Sequence, residues 1–486
     1  MTDSPATPLE LTSRRQFLNR NALGLGTVAL ATLLKDENLL ATPKDIPRGP
    51  RSFDLLPKQT DHAPRAQAMI SLFMHGGPSH MDLFDPKPEL TRHDGKDYPG
   101  NISYSFVKRA SKRLLGSPWK FRPRGECGTE MSELVPHIAG VADDICLVRS
   151  MHTNINGHES SIWYMNTGRS QPGRPALGSW LTYGLGSEAQ DLPAYVVMPD
   201  PSGHPVDGVR NWSNGWLPPL FQGTVVRSRQ PRILNLQPPK HLVGELQQKN
   251  LTFLAALNRR HLERHRGEAD LEARIASYEL AARMQTSARE ALDISQETRA
   301  TQNLYGIHDN PTREYGTRCL IARRLIERGV RFVQLFLNYQ PWDNHSNIRA
   351  TLPSICRKTD KPSAGLVKDL KQRGLLDQTI VHWGGEIGRL PVIENHGDIK
   401  KCGRDHNGQG FSTWFAGGGF KAGIAYGQTD EFGHRSVVDK VSPHDYQATL
   451  LHLFGIDHRQ LKYLYNAQDQ MLTDHKDCRV VRDILV

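Results

Sequence analysis

Imidazoles and carboxylates gather where the apolar runs of this sequence end. His75 follows residues 68–74, Asp343 and His345 follow residues 330–337, Glu386 follows residues 379–383, and Asp405 and His406 lie in the next loop, before residues 411–416. Such side chains are the donors that a divalent metal of the zinc, manganese or iron type takes. One His or Asp at the end of a strand is ordinarily a cap or a turn residue. Six of them at four loop sites point instead to a metal or catalytic centre.

The elements that must position them can be read from the same pattern. Ala68-Met69-Ile70-Ser71-Leu72-Phe73-Met74 is a short apolar run closed by His75-Gly76-Gly77-Pro78, which reads as a buried parallel strand entering a turn. Residues 330–337, 379–383 and 411–416 read as further strands, separated by amphipathic helices at 319–329 and 364–373. Asp445 is placed to cap a last helix that runs through His452 and stops at Gly455. This alternation predicts an α/β fold: a mostly parallel sheet with helices on both faces, whose ligands sit beyond the carboxyl ends of its strands.

Residues 242–302 break the alternation. They are rich in Ala, Leu, Glu, Arg and Gln, with Leu271, Ile275, Tyr278 and Ala282 at helical spacing, and predict a helical insertion outside the sheet. His261 and His265 have a chelating spacing, but no glutamate directly follows His261 and the surroundings are Arg-rich. They read as a solvated helix face.

The 486 residues hold 61 Lys plus Arg against 51 Asp plus Glu, a net +10 that favours anionic partners without fixing a function. The densest basic run, from Lys108 through Arg109, Lys112, Arg113, Lys120 and Arg122 to Arg124, lacks aromatic interleaving, and no nucleic-acid partner is expected. No apolar run reaches the roughly 18 to 20 residues of a membrane span. Ser13-Arg14-Arg15-Gln16-Phe17-Leu18, followed by a short apolar stretch with Gly24 and Gly26, resembles a twin-arginine export leader. The expected organisation is a leader over 1–41, a Pro-rich linker over 42–66, and an α/β domain over 67–486, located in the periplasm or outside the cell. Cys127, Cys146, Cys319, Cys356, Cys402 and Cys478 show no zinc-ribbon spacing, and a chain exported folded would carry mostly free, buried thiols.

Longer stretches carry a resemblance. Leu72-Phe73-Met74-His75-Gly76-Gly77-Pro78-Ser79 with Asp85-Pro86-Lys87-Pro88, Trp342-Asp343-Asn344-His345, and Gly403-Arg404-Asp405-His406 with Ala416-Gly417-Gly418-Gly419 are similar to the bacterial family named domain of unknown function 1501. Tyr426-Gly427-Gln428-Thr429-Asp430-Glu431-Phe432-Gly433, His444-Asp445 and Gly455-Ile456-Asp457-His458 continue it over nearly the whole chain after the leader. The resemblance implies an alkaline-phosphatase-like fold and a sulfatase-like activity: hydrolysis of sulfate or phosphate esters at one or two divalent metals (zinc, manganese or calcium), with a Ser, Thr or formylglycine nucleophile. It puts His75 at the first strand-end metal ligand, Asp343 and His345 at the second metal-binding loop, and Glu386, Asp405 and His406 near the remaining ligands.

The departure is at the nucleophile. Counting back nine residues from Thr167-Gly168, as the resemblance directs, reaches His158, an imidazole that can serve as a ligand or a general base. Ser160 and Ser161 stand nearby as candidate attacking hydroxyls, and attack by a hydroxide generated at the metal is the third route. The expected function is an exported metal-dependent hydrolase of an anionic ester, sulfated polysaccharide included. The alternative is a secreted binding or assembly protein that keeps the fold without turnover.

Overall fold

The computed structural model describes residues 53–105, 111–234, 236, 244–265, 269–394 and 399–486. The leader, the first part of the Pro-rich stretch, and Lys108 and Arg109 lie outside the described residues. Eight segments build the central sheet: β1 (Ala68–Phe73), β2 (Ile145–Met151), β3 (Tyr195–Met198), β4 (Thr224–Val225), β5 (Phe332–Phe336), β6 (Thr379–Gly384), β7 (Phe411–Ala416) and β8 (Ile424–Tyr426). Their order is β8-β2-β7-β6-β1-β5-β3-β4. β1 lies inside the sheet, parallel to β5 with Met69 opposite Phe332, and parallel to β6 with Ala68 opposite Thr379. The four runs read as strands are thus consecutive neighbours.

β7 alone runs against its partners, with Trp414 opposite Leu147 of β2 and Trp383 of β6. The chain between β6 and β7 starts and ends at one edge of the sheet, and a connection without a crossover reverses the strand. Every residue of β1, β3, β5, β6 and β7 is buried, so both faces of the sheet are covered. The sequence reading did not single out β2 and β3, which are short apolar runs without a chemically conspicuous end.

Helices α1 (His158–Thr167), α2 (Glu245–Arg264), α3 (Ala269–Ala291), α4 (Arg313–Ile326), α5 (Ile348–Gln372) and α6 (Pro443–Leu453) accompany the sheet. α5 begins well before the expected 364 and carries Pro353 and Pro362. Proline normally reads as a stop. Here Leu352, Ile355, Cys356, Thr359, Ser363, Leu366, Val367 and Leu370 form one buried stripe that holds the helix together across both. In α6 the cap is Ser442, whose hydroxyl accepts from the Asp445 amide while the Asp445 carboxylate accepts from the Ser442 amide. Asp445 is therefore the reciprocal partner within the first turn.

The insertion is helical, as expected; Ala273, Ile275, Leu280, Met284 and Ala288 are buried on it, and Tyr278 is 67 % exposed. No residue of α2 is buried, and His261 and His265 are exposed. Phe53 to Ala66 lies along the body: Leu55 and Ala66 are buried, and backbone bonds join Lys58 to Leu185 and Asp61 to Gly455. All six cysteines are unpaired, five of them buried. No described helix is long and apolar enough to cross a membrane.

Candidate metal centre

The ends of β1, β2, β5 and β6, and the loop that enters β7, meet at one edge of the sheet. After β1 the chain turns through Gly76 and Gly77 at positive φ, and a Cβ on Gly76 would stand 2.7 Å from the Asp343 amide nitrogen. Only glycine lets the first loop approach the loop after β5 so closely. The Trp342 amide donates to the His75 carbonyl and locks the two loops together. α1 opens with His158 itself and closes at Gly168 in the left-handed conformation.

Three imidazoles share one arrangement. His158 donates from Nδ1 to Glu386 Oε1 at 2.6 Å, His345 from Nδ1 to Glu394 Oε2 at 2.5 Å, and His406 from Nδ1 to the Asn156 carbonyl at 2.7 Å. Carboxylates and carbonyls only accept, so each ring carries its hydrogen on Nδ1 and turns Nε2 to the interior of the site. The three Nε2 atoms converge on Asp343 Oδ1, at 3.4 Å for His158, 3.0 Å for His345 and 3.2 Å for His406. The His345 and His406 Nε2 atoms are 2.9 Å apart.

These separations suit a metal. Bonds of about 2.0 to 2.1 Å place neighbouring donors about 2.9 Å apart at a right angle and about 3.4 Å apart at a tetrahedral angle. The four measured edges fall within that span. His75 adds a second sign, because it is fully buried and neither ring nitrogen has a hydrogen-bond partner. It stands within electrostatic reach of Glu386, His158 and Asp343. A buried imidazole without a partner is costly unless something absent from the protein atoms binds it.

Charge reinforces the geometry. Burial alone would raise the Asp343 carboxyl, but the Arg389 guanidinium at 2.6 Å and the bonds from His158, His345 and His406 hold it far below the ordinary carboxylate range. Burial opposes a proton on His345, yet Asp343 and Glu394 outweigh it and raise the ring to about 9. Burial drives His406 down to about 4 against the pull of Asp343. Two facing Nε2 atoms cannot both carry protons, so this pair holds one, in the place where a cation would sit.

The candidate residues from the sequence fall into distinct positions. His158, Asp343, His345 and His406 contribute converging atoms. Glu386 is fully buried and accepts from His158 and from the Gly76 amide, and so braces the ring from behind. Asp405 lies within a cluster with His345 and His406, its two oxygens accepting from the His406 and Ser105 amides. Ser161 is buried and donates to the Ile155 carbonyl, and Ser160 is half-buried on the same helix. Three contributors escaped the sequence reading: Arg389, Glu394 and the Asn156 carbonyl. Arg389 follows Glu386 in a glycine-rich, otherwise apolar stretch, which was its one signal. Glu394 is a lone acid in a loop, and a backbone carbonyl has no signature at all.

Fold and site together define an open α/β-sheet protein with a candidate metal centre beyond its strand ends. The chain belongs to the family DUF1501, described as proteins of unknown function, whose profile matches residues 66–485. Among solved structures it is similar to a sulfatase from Pseudoalteromonas sp., with 11 % identity, a TM-score of 0.36, and coverage of 81 % of this chain and 68 % of that one. A phosphonate monoester hydrolase from Silicibacter pomeroyi shows 12 % identity and a TM-score of 0.34, covering 72 % of this chain and 71 % of the other. The lipoteichoic acid synthase LtaP from Listeria monocytogenes shows 8 % identity and a TM-score of 0.31, covering 82 % and 74 %. No curated protein matches the chain by sequence.

Proposed function

We propose that the protein is an exported, metal-dependent hydrolase of an anionic sulfate or phosphate ester, sulfated polysaccharide among its candidate substrates. The observation that carries this reading is the convergence of three Nε2 atoms on Asp343, each ring pinned from behind by an oxygen acceptor. His406 would hold the cation either with His158 and Asp343 or with His345 and Asp405. Two imidazoles and one carboxylate suit zinc or manganese better than calcium, which takes an all-oxygen shell. A metal so held supplies Lewis-acid polarisation of the ester and a water acidified enough to attack near neutral pH.

The rest falls to the chain itself. Glu386 and Glu394 fix the rings of His158 and His345 and strengthen them as donors. Both nitrogens of His158 are engaged, Nδ1 with Glu386 and Nε2 toward Asp343, which favours a ligand over a nucleophile. The Ser161 hydroxyl is committed to Ile155, which favours attack by water over attack by that serine. The net +10 draws anionic esters toward the protein, and the Arg14-Arg15 leader would carry it out of the cytoplasm.

The test is metal analysis of protein purified without chelator, followed by a screen of aryl sulfates and aryl phosphates. The expected result is bound zinc or manganese, with hydrolysis that disappears on chelation and returns on reloading. Bound metal with no turnover would make this a binding or assembly protein. Absence of metal would overturn the reading.

A further inference from the structure

The loop that carries Asp343 also carries a strained aromatic residue. Tyr339 stands at φ 51°, in the left-handed region that among the described residues is otherwise held mainly by Gly, Asn and Asp. A bulky side chain is out of place there, and such strain persists only where the surroundings impose it. Here the Tyr339 amide donates to the His204 carbonyl at 3.0 Å, Pro205 and Tyr339 form a parallel bridge, and a Cβ on Gly203 would strike the Asn338 side chain. What the strain achieves is display: Tyr339 is 66 % exposed.

That display is beside the metal centre. Tyr339 stands four positions before Asp343, at most about 14 Å of chain, and the Asp343 amide closes a turn between them on the Gln340 carbonyl. The centre also opens to solvent at this loop, because Asp343 and His345 each keep 17 % of the side chain exposed, against 5 % for His158 and 7 % for His406. The loop after β3, which grips Tyr339, adds a second sign. Asp207 is left-handed as well, at φ 63°; its Oδ1 is 3.5 Å from Arg210 Nη1, and its Oδ2 is shielded from solvent without a hydrogen-bond partner. Glu159, the neighbour of His158, is within electrostatic reach of both Asp207 and His75, and so ties this loop to the centre.

The two residues define a ligand by their chemistry. An exposed phenol ring offers a flat apolar face. A carboxylate oxygen only accepts, so its partner must donate, and Asp207 with Glu159 repels a second anion. A ring with an apolar C–H face and hydroxyl donors at its rim answers both. Resting on the hydrolase reading above, we propose that Tyr339 and Asp207 form the subsite for the alcohol part of the ester, and that this alcohol is an otherwise neutral sugar ring. One face of the sugar lies on the Tyr339 ring and a hydroxyl donates to Asp207 Oδ2, while the ester group reaches inward to the centre. Both residues bind and orient, and the reacting bond lies beyond them.

The experiment is saturation-transfer NMR on the full chain with the neutral methyl glycosides of glucose, galactose, mannose and xylose, a readout that needs neither metal nor turnover. At least one glycoside should bind the wild type, with saturation strongest on the protons of one ring face. Tyr339→Asn, which suits the left-handed backbone but lacks the ring, should weaken that binding about 5-fold or more and melt no lower than the wild type. Tyr339→Phe should keep the binding, and Asp207→Asn should weaken it. No binding of any of the four glycosides overturns the proposal, as does unchanged affinity in Tyr339→Asn or Asp207→Asn, or its loss in Tyr339→Phe. A lower melting temperature for Tyr339→Asn also overturns it, since the ring would then belong to the packing. Glycoside binding by a metal-loaded protein that turns over no ester overturns the hydrolase reading alone and leaves a sugar-binding protein.

Discussion

Two clusters of charged and polar side chains, one that reaches the surface at Glu327 and Arg373 and one at the strand ends, are wired in opposite ways. Between α4 and α5, Arg323 pairs with Asp369 at 2.9 Å, Glu297 at 2.7 Å and Glu327 at 2.5 Å. Arg324 joins at Glu297, Arg373 reaches Asp369 at 2.8 Å, and the Tyr305 hydroxyl donates to Asp369. Three guanidinium groups meet three carboxylates, and donors face acceptors throughout. At the strand ends, by contrast, three imidazole nitrogens and a carboxylate oxygen face one another across 2.9 to 3.4 Å. The first arrangement is complete as protein. The second gathers metal-donor atoms around one oxygen, Asp343 Oδ1, with the Arg389 guanidinium beside it and a single proton shared by His345 and His406, a difference that burial alone does not reveal.

Breaking each cluster should produce different losses. The largest is expected for Asp343→Ala, which removes the oxygen shared by all three rings: bound metal and ester hydrolysis should both disappear, read by metal analysis and turnover. A variant that keeps its metal would place the cation elsewhere. Next comes Arg323→Met, which takes one guanidinium from Glu297 and Asp369 while Arg324, Arg373 and Tyr305 stay, and should cost about 1.5 to 3 kcal/mol in denaturant unfolding. Its metal content should not change, and loss of metal in the folded variant would erase the contrast between the clusters. Glu394→Gln sharpens the contrast further, because it leaves His345 in place but weakens its brace. Metal affinity should fall about 10- to 100-fold in a chelator competition, with unfolding nearly unaltered. An unchanged affinity would remove Glu394 from the centre.

The last effect is on pH. His382, buried in β6 with its Nδ1 3.0 Å from the Ser71 hydroxyl and its ring stacked on Phe415, is driven by burial down to about 3. The unfolded chain takes up a proton at His382 below about pH 6.5 and the folded chain does not, so this histidine's contribution to stability is present above pH 6.5 and shrinks as pH falls toward 3. Its slope is at most about 1.4 kcal/mol per pH unit. His382→Gln should flatten the acid limb of the stability curve by that amount or less. An identical limb would mean that the ring is protonated in the fold.

The sequence made the framework of this site legible because apolar runs and their polar ends are local features. β1, β5, β6 and β7 could be read from their residues, and Asp343, His345 and His406 from standing just outside them. The direction of β7 depends on where a loop returns, which no residue type records. The braces were illegible for a related reason: Glu394 matters through His345, and Asn156 through a carbonyl that every residue possesses. Of the residues at helical spacing on α3, Ile275 is buried and Tyr278 is exposed, because spacing marks a helix without saying which side it turns inward.

The position of β1 has a consequence for how the chain is made. Its inward neighbours, β5 and β6, start at Phe332 and Thr379, so the strand leaves the ribosome long before either partner exists. At the elongation rates of living cells, about 5 to 20 residues per second, the interval from Phe73 to Gly384 lasts roughly 15 to 60 s. Throughout it the nascent chain carries Ala-Met-Ile-Ser-Leu-Phe, a hexapeptide without charge or proline whose two hydrogen-bonding edges are both open. Guarding that segment during synthesis is work for a chaperone, since the fold cannot shelter it until most of the chain has been translated.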